Sequence, residues 1–321
     1  EFAYWGFLIW AFYFLTSFYF CIIEPKVGFF EIPVVKILNN IVIIGTCAFT
    51  AYLLLINLPW YLPQLGDGKT VLLVFYVIVF AVILAAVFSS TDIKYLKILS
   101  VASTWLFLLL IAGMWIGAMI APDAFLKNIG MIGNYFGNLH QFILPLNDYH
   151  AFYLFWWFAW SIMIGQFTSR FIGGLKTWQL LVALLVLPSI PLALWIAVLY
   201  YYHSNGLATG GLVTIAMVFV GITFVINSLD SLIRLYTDNL DLTTRRFGKA
   251  KYILGNLLAL CFLTLLFQLD FLKIQWVGAL VILMYFACLI YILMYKRKEV
   301  LAIKFAPEGR VVDFNIINKV T

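Results

Sequence analysis

The chain has 321 residues, of which 65% are hydrophobic and 11% charged, against roughly 45–50% and about 25% in soluble globular domains. A water-soluble surface cannot be built from that supply, so a soluble enzyme or soluble binding domain is excluded. The net charge of +6 would suit nucleic acid if it were spread over one surface, but its distribution along the chain marks one face of a membrane protein instead, and no nucleic-acid partner is expected.

Apolar runs long enough to cross a bilayer, which takes roughly 20 residues, fall at about 3–23, 34–58, 70–90, 98–120, 151–172, 178–202, 210–234, 250–269 and 274–295. This predicts an all-α, polytopic integral membrane protein with about nine transmembrane helices. Residues 1–296 form the membrane domain and 297–321 a cytoplasmic-side tail. The chain starts at Glu1, without Met and without a signal-peptide pattern, and is read as beginning inside or just before a helix, with upstream sequence missing, processed or split off. Between the fourth and fifth runs, residues 122–150 are too polar to span. With Gly130, Gly133 and Gly137 they are expected to form an interfacial helix and loop.

Lys and Arg stay on the cytoplasmic-type side during insertion. With the basic tail inside and the spans alternating backward from it, seventeen of the twenty Lys and Arg collect on that side; only Lys69, Lys127 and Lys273 fall on the other. The asymmetry supports nine spans and an external amino terminus. Whether the membrane is a plasma or an organelle inner membrane is not distinguished.

No GxGxxG, Walker loop, HExxH or GxSxG is present, and no paired carboxylates suggest an embedded enzyme. No catalytic residue, metal site or cofactor is expected. Cys21, Cys47, Cys261 and Cys288 lie far apart in or beside apolar runs and read as small core residues. His140, His150 and His203 sit near span ends and read as interfacial hydrogen-bonding residues. Two aromatic clusters stand out. Trp5, Trp10 and Tyr13 fall within one sector of roughly 140° on a helix, at about 100° per residue. In the fifth run, Phe155-Trp156-Trp157-Phe158-Ala159-Trp160 puts Trp156 and Trp160 in one stripe with Trp157 to its side. Trp at span ends forms interfacial belts, but this density is also what holds a quaternary ammonium by cation–π attraction. Asp230 is the one carboxylate in the seventh run and reads as a functional residue by default, unless Arg234, four residues later on the same face, neutralises it.

The run Phe152-Tyr153-Leu154-Phe155-Trp156-Trp157-Phe158-Ala159-Trp160-Ser161, followed by Gly165, Phe167 and Arg170, resembles the signature helix of the betaine/choline/carnitine transporter (BCCT) family. Tyr4-Trp5-Gly6-Phe7-Leu8-Ile9-Trp10-Ala11-Phe12-Tyr13 is similar to the family's HWGxHxWAIY helix, and Ile93-Lys94-Tyr95-Leu96, Pro188 with Trp195, and the stretch Phe224 to Ser231 are similar to further family motifs in collinear order. The resemblance implies a twelve-span, LeuT-type fold of two inverted repeats, of which this chain corresponds to the last nine spans and lacks the first three. Spans one to four are then expected to superpose, inverted, on spans six to nine. It further implies a secondary transporter of quaternary-ammonium osmolytes with Trp5, Trp10, Tyr13, Trp156, Trp157 and Trp160 at the substrate, and Phe224, Asn227 and Ser228 at a coupling ion, possible Na+. The alternative is a transporter-derived structural subunit of a larger membrane complex without transport activity, in which a partner chain supplies the missing helices or surrounds the protein. Ile162 in place of the family's proline, Leu154 in place of its tryptophan, and Tyr4 and Leu8 in place of its histidines favour that alternative.

Overall fold

The computed structural model describes residues 2–138, 148–171 and 176–303, and within them the chain is helical nearly throughout. The elements are α1 (Phe2–Phe18), α2 (Glu24–Val27), α3 (Pro33–Tyr61), α4 (Leu73–Ser89), α5 (Ile93–Gly117), α6 (Pro122–Gly137), α7 (Asp148–Phe171), α8 (Thr177–Leu181), α9 (Leu187–Ser204), α10 (Leu212–Asn239), α11 (Thr244–Phe247), α12 (Lys249–Gln268), α13 (Ile274–Tyr291) and α14 (Arg297–Leu301). Single π-helical turns at Tyr19–Ile23, Val182–Val186 and Ile292–Lys296 join α1 to α2, α8 to α9 and α13 to α14. Among the described residues six helices are long and apolar enough to cross a membrane: Pro33–Tyr61, Ile93–Gly117, Thr177–Ser204, Leu212–Asn239, Lys249–Gln268 and Ile274–Leu301. A seventh, Leu73–Ser89, is apolar but has 17 residues. Leu109, Leu258 and Phe286 are all more than 60% exposed in mid-helix, so these helices are apolar outside as well as inside, the pattern of a membrane span rather than of a helix on a soluble core. The chain is a multi-pass integral membrane protein.

Two compact units are present. The first contains α1, α2, the start of α3, α7, α8, α13 and α14. Its centre is α7, which packs against α1 on one flank and α13 on the other. Glycine makes both crossings close. A Cβ added at Gly165 of α7 would sit 2.9 Å from the Thr16 carbonyl oxygen of α1, and one at Gly278 of α13 would sit 2.6 Å from the Phe155 carbonyl oxygen of α7. In lipid, helices associate through such close backbone contact and through interhelical hydrogen bonds. The bonds here are Ser17 Oγ to Thr168 Oγ1 (3.2 Å) and Asn39 Nδ2 to Gln166 Oε1 (3.2 Å), with Ser161 and Tyr285 hydroxyls 2.5 Å apart. Beyond the first π turn the chain closes on Glu24, whose carboxylate accepts from Tyr19 Oη at 2.5 Å and from the Phe30 N–H at 2.7 Å. Cys21, Cys47 and Cys288 are buried free thiols and Cys261 is half-buried.

The second unit contains the rest of α3 together with α4, α5, most of α6, the end of α9, α10, α11 and α12. α10 packs against α4 and α5, and α4 against α12. Tyr202 Oη donates to the Met114 carbonyl at 3.0 Å, and Ser90 and Tyr252 hydroxyls are 3.0 Å apart. The segment expected to lie along the membrane begins with α6. Trp115 of α5 stacks on Phe125 of α6 with ring centroids 4.0 Å apart, and Asn128 Nδ2 donates to the Ala197 carbonyl at 3.4 Å. The remainder, 139–147, lies outside the described residues.

The glycine contacts carry an expectation. Gly278→Ala forces a methyl group onto backbone and should lower stability by about 1–3 kcal/mol, the usual cost of overpacking. Gly113→Ala in α5, whose Cβ would meet nothing within 4 Å, should leave stability unchanged or raise it slightly. Thermal unfolding of the two variants in detergent, followed by intrinsic fluorescence, checks the difference.

Candidate functional site

In the first unit, α1 and α7 bring together residues from the two aromatic motifs. Trp10 and Tyr13 lie edge to face with centroids 5.2 Å apart; Tyr13 and Trp157 lie 6.2 Å apart, tilted by 53°; Trp156 and Trp157 lie 5.1 Å apart. Tyr13 Oη donates to the Trp157 carbonyl at 3.1 Å. The sequence explains the meeting: Gly165, two helical turns past Trp157, lets α7 touch the backbone of α1, so the rings flanking that contact must interleave. Tyr13 is only 1% exposed, whereas Trp10, Trp156, Trp157 and Trp160 are half-buried. Trp160 makes no ring contact with the others among the described residues, and the side chain of Trp5 lies outside them. The indole N–H groups of Trp157 and Trp160 are buried and have no acceptor among the described residues, so this wall of α7 holds donors that a polar ligand or water could satisfy.

Further rings extend the cluster, among them one that the sequence does not single out. Phe12 meets Phe158 at 5.1 Å and Tyr285 at 5.7 Å. Phe12 and Phe158 belong to the two aromatic motifs, but Tyr285 lies in a plain apolar run with no motif around it.

In the second unit, α10 carries the three residues expected at an ion. Phe224 meets Phe107 edge to face at 5.6 Å, and Phe107 in turn meets Trp195 at 5.6 Å. These three line a cavity of about 230 Å³ with Leu54, Asn57 and Tyr61. Asn227 Oδ1 accepts from Ser100 Oγ at 3.2 Å, and Ser228 is half-buried. Among the described residues no three His, Cys, Asp or Glu side chains gather as a metal site.

One turn further along α10, Asp230 is fully buried and Arg234 nearly so. Arg234 Nε donates to Asp230 Oδ1 at 2.6 Å, and one terminal nitrogen of Arg234 donates to the carbonyls of Ser89 (2.6 Å) and Asp92 (2.7 Å). Ser89 Oγ donates to the other carboxylate oxygen. The arginine thus neutralises the aspartate and places its charge on the carbonyl end of α4, where a cation is favoured. Asp92 itself caps α5 by accepting the Lys94 N–H at 3.0 Å, and that bond holds its carboxyl below the ordinary aspartate range. Of the two readings of Asp230, this arrangement is the paired one.

No family model matches the chain, and no curated protein is significantly similar to it.

Because removing one partner of the buried pair leaves the other uncompensated, Arg234→Met should cost about 3–5 kcal/mol. The double variant Asp230→Leu with Arg234→Met should lose less than the single one. Unfolding of the three proteins in detergent micelles measures both differences.

Proposed function

We propose that the chain is a secondary transporter of the betaine/choline/carnitine type, acting on a quaternary-ammonium osmolyte, with α1, α4 and α7 crossing the membrane alongside the six longer helices. The observation that carries this reading is the meeting of Tyr13, with Trp10 against its edge, and Trp157. Two aromatic motifs far apart in sequence converge on one cluster, the arrangement that cation–π recognition of a trimethylammonium group needs. Trp5, Trp156 and Trp160 complete the proposed substrate set, and Phe224, Asn227 and Ser228 are proposed at a coupling Na+, for which the amide and hydroxyl oxygens are suitable hard ligands.

The packing order supports an incomplete inverted repeat of the LeuT type. If α1, α3, α4 and α5 are counterparts of α8–α9, α10, α12 and α13, a two-fold relation requires every contact to have a reciprocal. α1 packs on the turn between α8 and α9, and α4 packs on α12, each on its own counterpart. α10 packs on α4 and α5. Reciprocally, α3 meets α12, with Phe49 and Phe267 centroids 5.0 Å apart, and shares a buried cluster with α13 through Val42 and Val281.

A second reading rests on Tyr13, whose ring is closed off by protein and whose hydroxyl is spent on the Trp157 carbonyl. On that reading the cluster is a packing core, and the protein is a structural subunit of a larger membrane complex. Binding of labelled betaine, choline and carnitine to the purified protein or its intact assembly separates the two. A transporter should bind one of them saturably, and Trp157→Leu, which keeps apolar bulk but removes the indole, should weaken binding about tenfold or more, each ring contributing roughly 0.5–2 kcal/mol. Absence of saturable binding in both proteins would leave the structural reading.

A further inference from the structure

In the second unit, the end where α4 turns into α5 and α11 into α12 gathers two ammonium groups and two rings in one row. Lys249 Nζ lies 4.4 Å from the centre of the Phe88 ring, Phe88 lies 5.8 Å from Tyr95, and Lys94 Nζ lies 5.0 Å from the Tyr95 ring. The bond between Ser90 and Tyr252 fixes α4 and α12 to each other at this level. Arg245, Arg246 and Lys251 are exposed on the same helix pair and its leading turn. The carboxylates at this end are Asp92, which contacts Lys94 at 3.4 Å, Asp241, which holds Arg246 at 2.8 Å, and Asp238; against Lys94, Lys97, Arg245, Arg246, Lys249 and Lys251 they leave an excess of positive charge. Ring contact positions a lysine without cancelling its charge.

Directly along the same two helices runs an apolar groove of about 300 Å³. Tyr76, Val77, Phe80 and Ile83 of α4 line one wall, and Cys261 and Leu265 of α12 the other. Val77, Phe80 and Leu265 are exposed, so the groove opens outward on a face that is otherwise apolar. At about 1.5 Å per residue the groove runs from about 8 Å to about 18 Å from Phe88 along α4 and from about 18 Å to about 24 Å from Lys249 along α12. One leaflet of a hydrocarbon core is about 15 Å deep, so the groove lies around the bilayer midplane, where the end of an acyl chain rooted at the level of the lysines arrives.

We propose that this face binds one anionic phospholipid, its headgroup over the basic row that carries Lys94 and Lys249 and the end of one acyl chain lying in the groove between α4 and α12. The charge excess selects an anionic headgroup over a zwitterionic one, which would bring its own cation against the lysines. The groove selects a lipid over a soluble phosphate, which would leave the apolar walls unfilled.

The test uses the full chain in mixed micelles, with binding read by native mass spectrometry and by the rise in unfolding temperature. Phosphatidylglycerol is compared with phosphatidylcholine of the same acyl chains and with soluble glycerol phosphate. The wild type should prefer phosphatidylglycerol and ignore glycerol phosphate. Lys94→Gln with Lys249→Gln should weaken phosphatidylglycerol binding roughly thirtyfold, equivalent to about 1 kcal/mol for each basic side chain near an anionic surface. Val77→Trp, which fills the groove from its exposed edge and leaves the lysines in place, should weaken both lipids. An undiminished preference for phosphatidylglycerol in the double glutamine variant would overturn the headgroup site. Unchanged lipid binding in Val77→Trp would overturn the groove, and equal protection by glycerol phosphate would overturn the lipid altogether.

Discussion

The close approach of α7 to both α1 and α13 is the contact on which the first unit depends. Lipid tails are as apolar as leucine, so burying leucine between helices gives little drive toward association in a membrane; what remains is close packing and hydrogen bonds between helices. Gly165 and Gly278 supply the first by letting backbone touch backbone. Ser17 with Thr168, Asn39 with Gln166 and Ser161 with Tyr285 supply the second. The second unit meets the same demand differently: there a charged pair on α10, which reaches the carbonyls of Ser89 and Asp92, and a hydroxyl pair between Ser90 and Tyr252 replace glycine contact.

The aromatic cluster inherits its geometry from the glycine contact. With α1 and α7 drawn together at Gly165, Tyr13 has no space to swing away and settles with its hydroxyl on the Trp157 carbonyl. The same tightness has two chemical consequences. It aligns rings from separate motifs, which a cation site needs, and it encloses one of those rings, which a packing core needs. The half-buried indoles of Trp157 and Trp160, with donors unanswered among the described residues, are the part of the cluster still able to meet a ligand.

Much of the helical layout is legible in the sequence because bilayer thickness sets a length that apolar runs must match. The run at 34–58 lies within α3, Pro33–Tyr61, and the run at 250–269 coincides with α12, Lys249–Gln268. The Asp230–Arg234 pair is legible because charges four residues apart on a helix share a face. The π turns at Tyr19–Ile23, Val182–Val186 and Ile292–Lys296 are not legible, since one extra residue per turn leaves no mark on hydropathy. Nor are the partners. Ser100 and Tyr285 are single polar residues among apolar neighbours and Ser89 opens the polar turn after α4, and nothing local says that they face Asn227, Ser161 and Asp230. Gly165 is visible as part of a motif and Gly278 as part of nothing, yet both serve the same packing need, because the backbone they meet belongs to helices distant in the chain.

The central claim is that these helices cross a membrane with their basic turns on one side, and sidedness tests it most directly. Single cysteines at Asp67, between α3 and α4, and at Thr91, between α4 and α5, can be probed with a membrane-impermeant thiol reagent in sealed vesicles, the unaltered chain controlling for Cys21, Cys47, Cys261 and Cys288. The account expects Asp67→Cys and Asp270→Cys to react from one side, and Thr91→Cys and Leu242→Cys only from the other. Reaction of Asp67→Cys and Thr91→Cys from the same side would mean that α4 does not cross, and would contradict the topology on which the proposed sites rest.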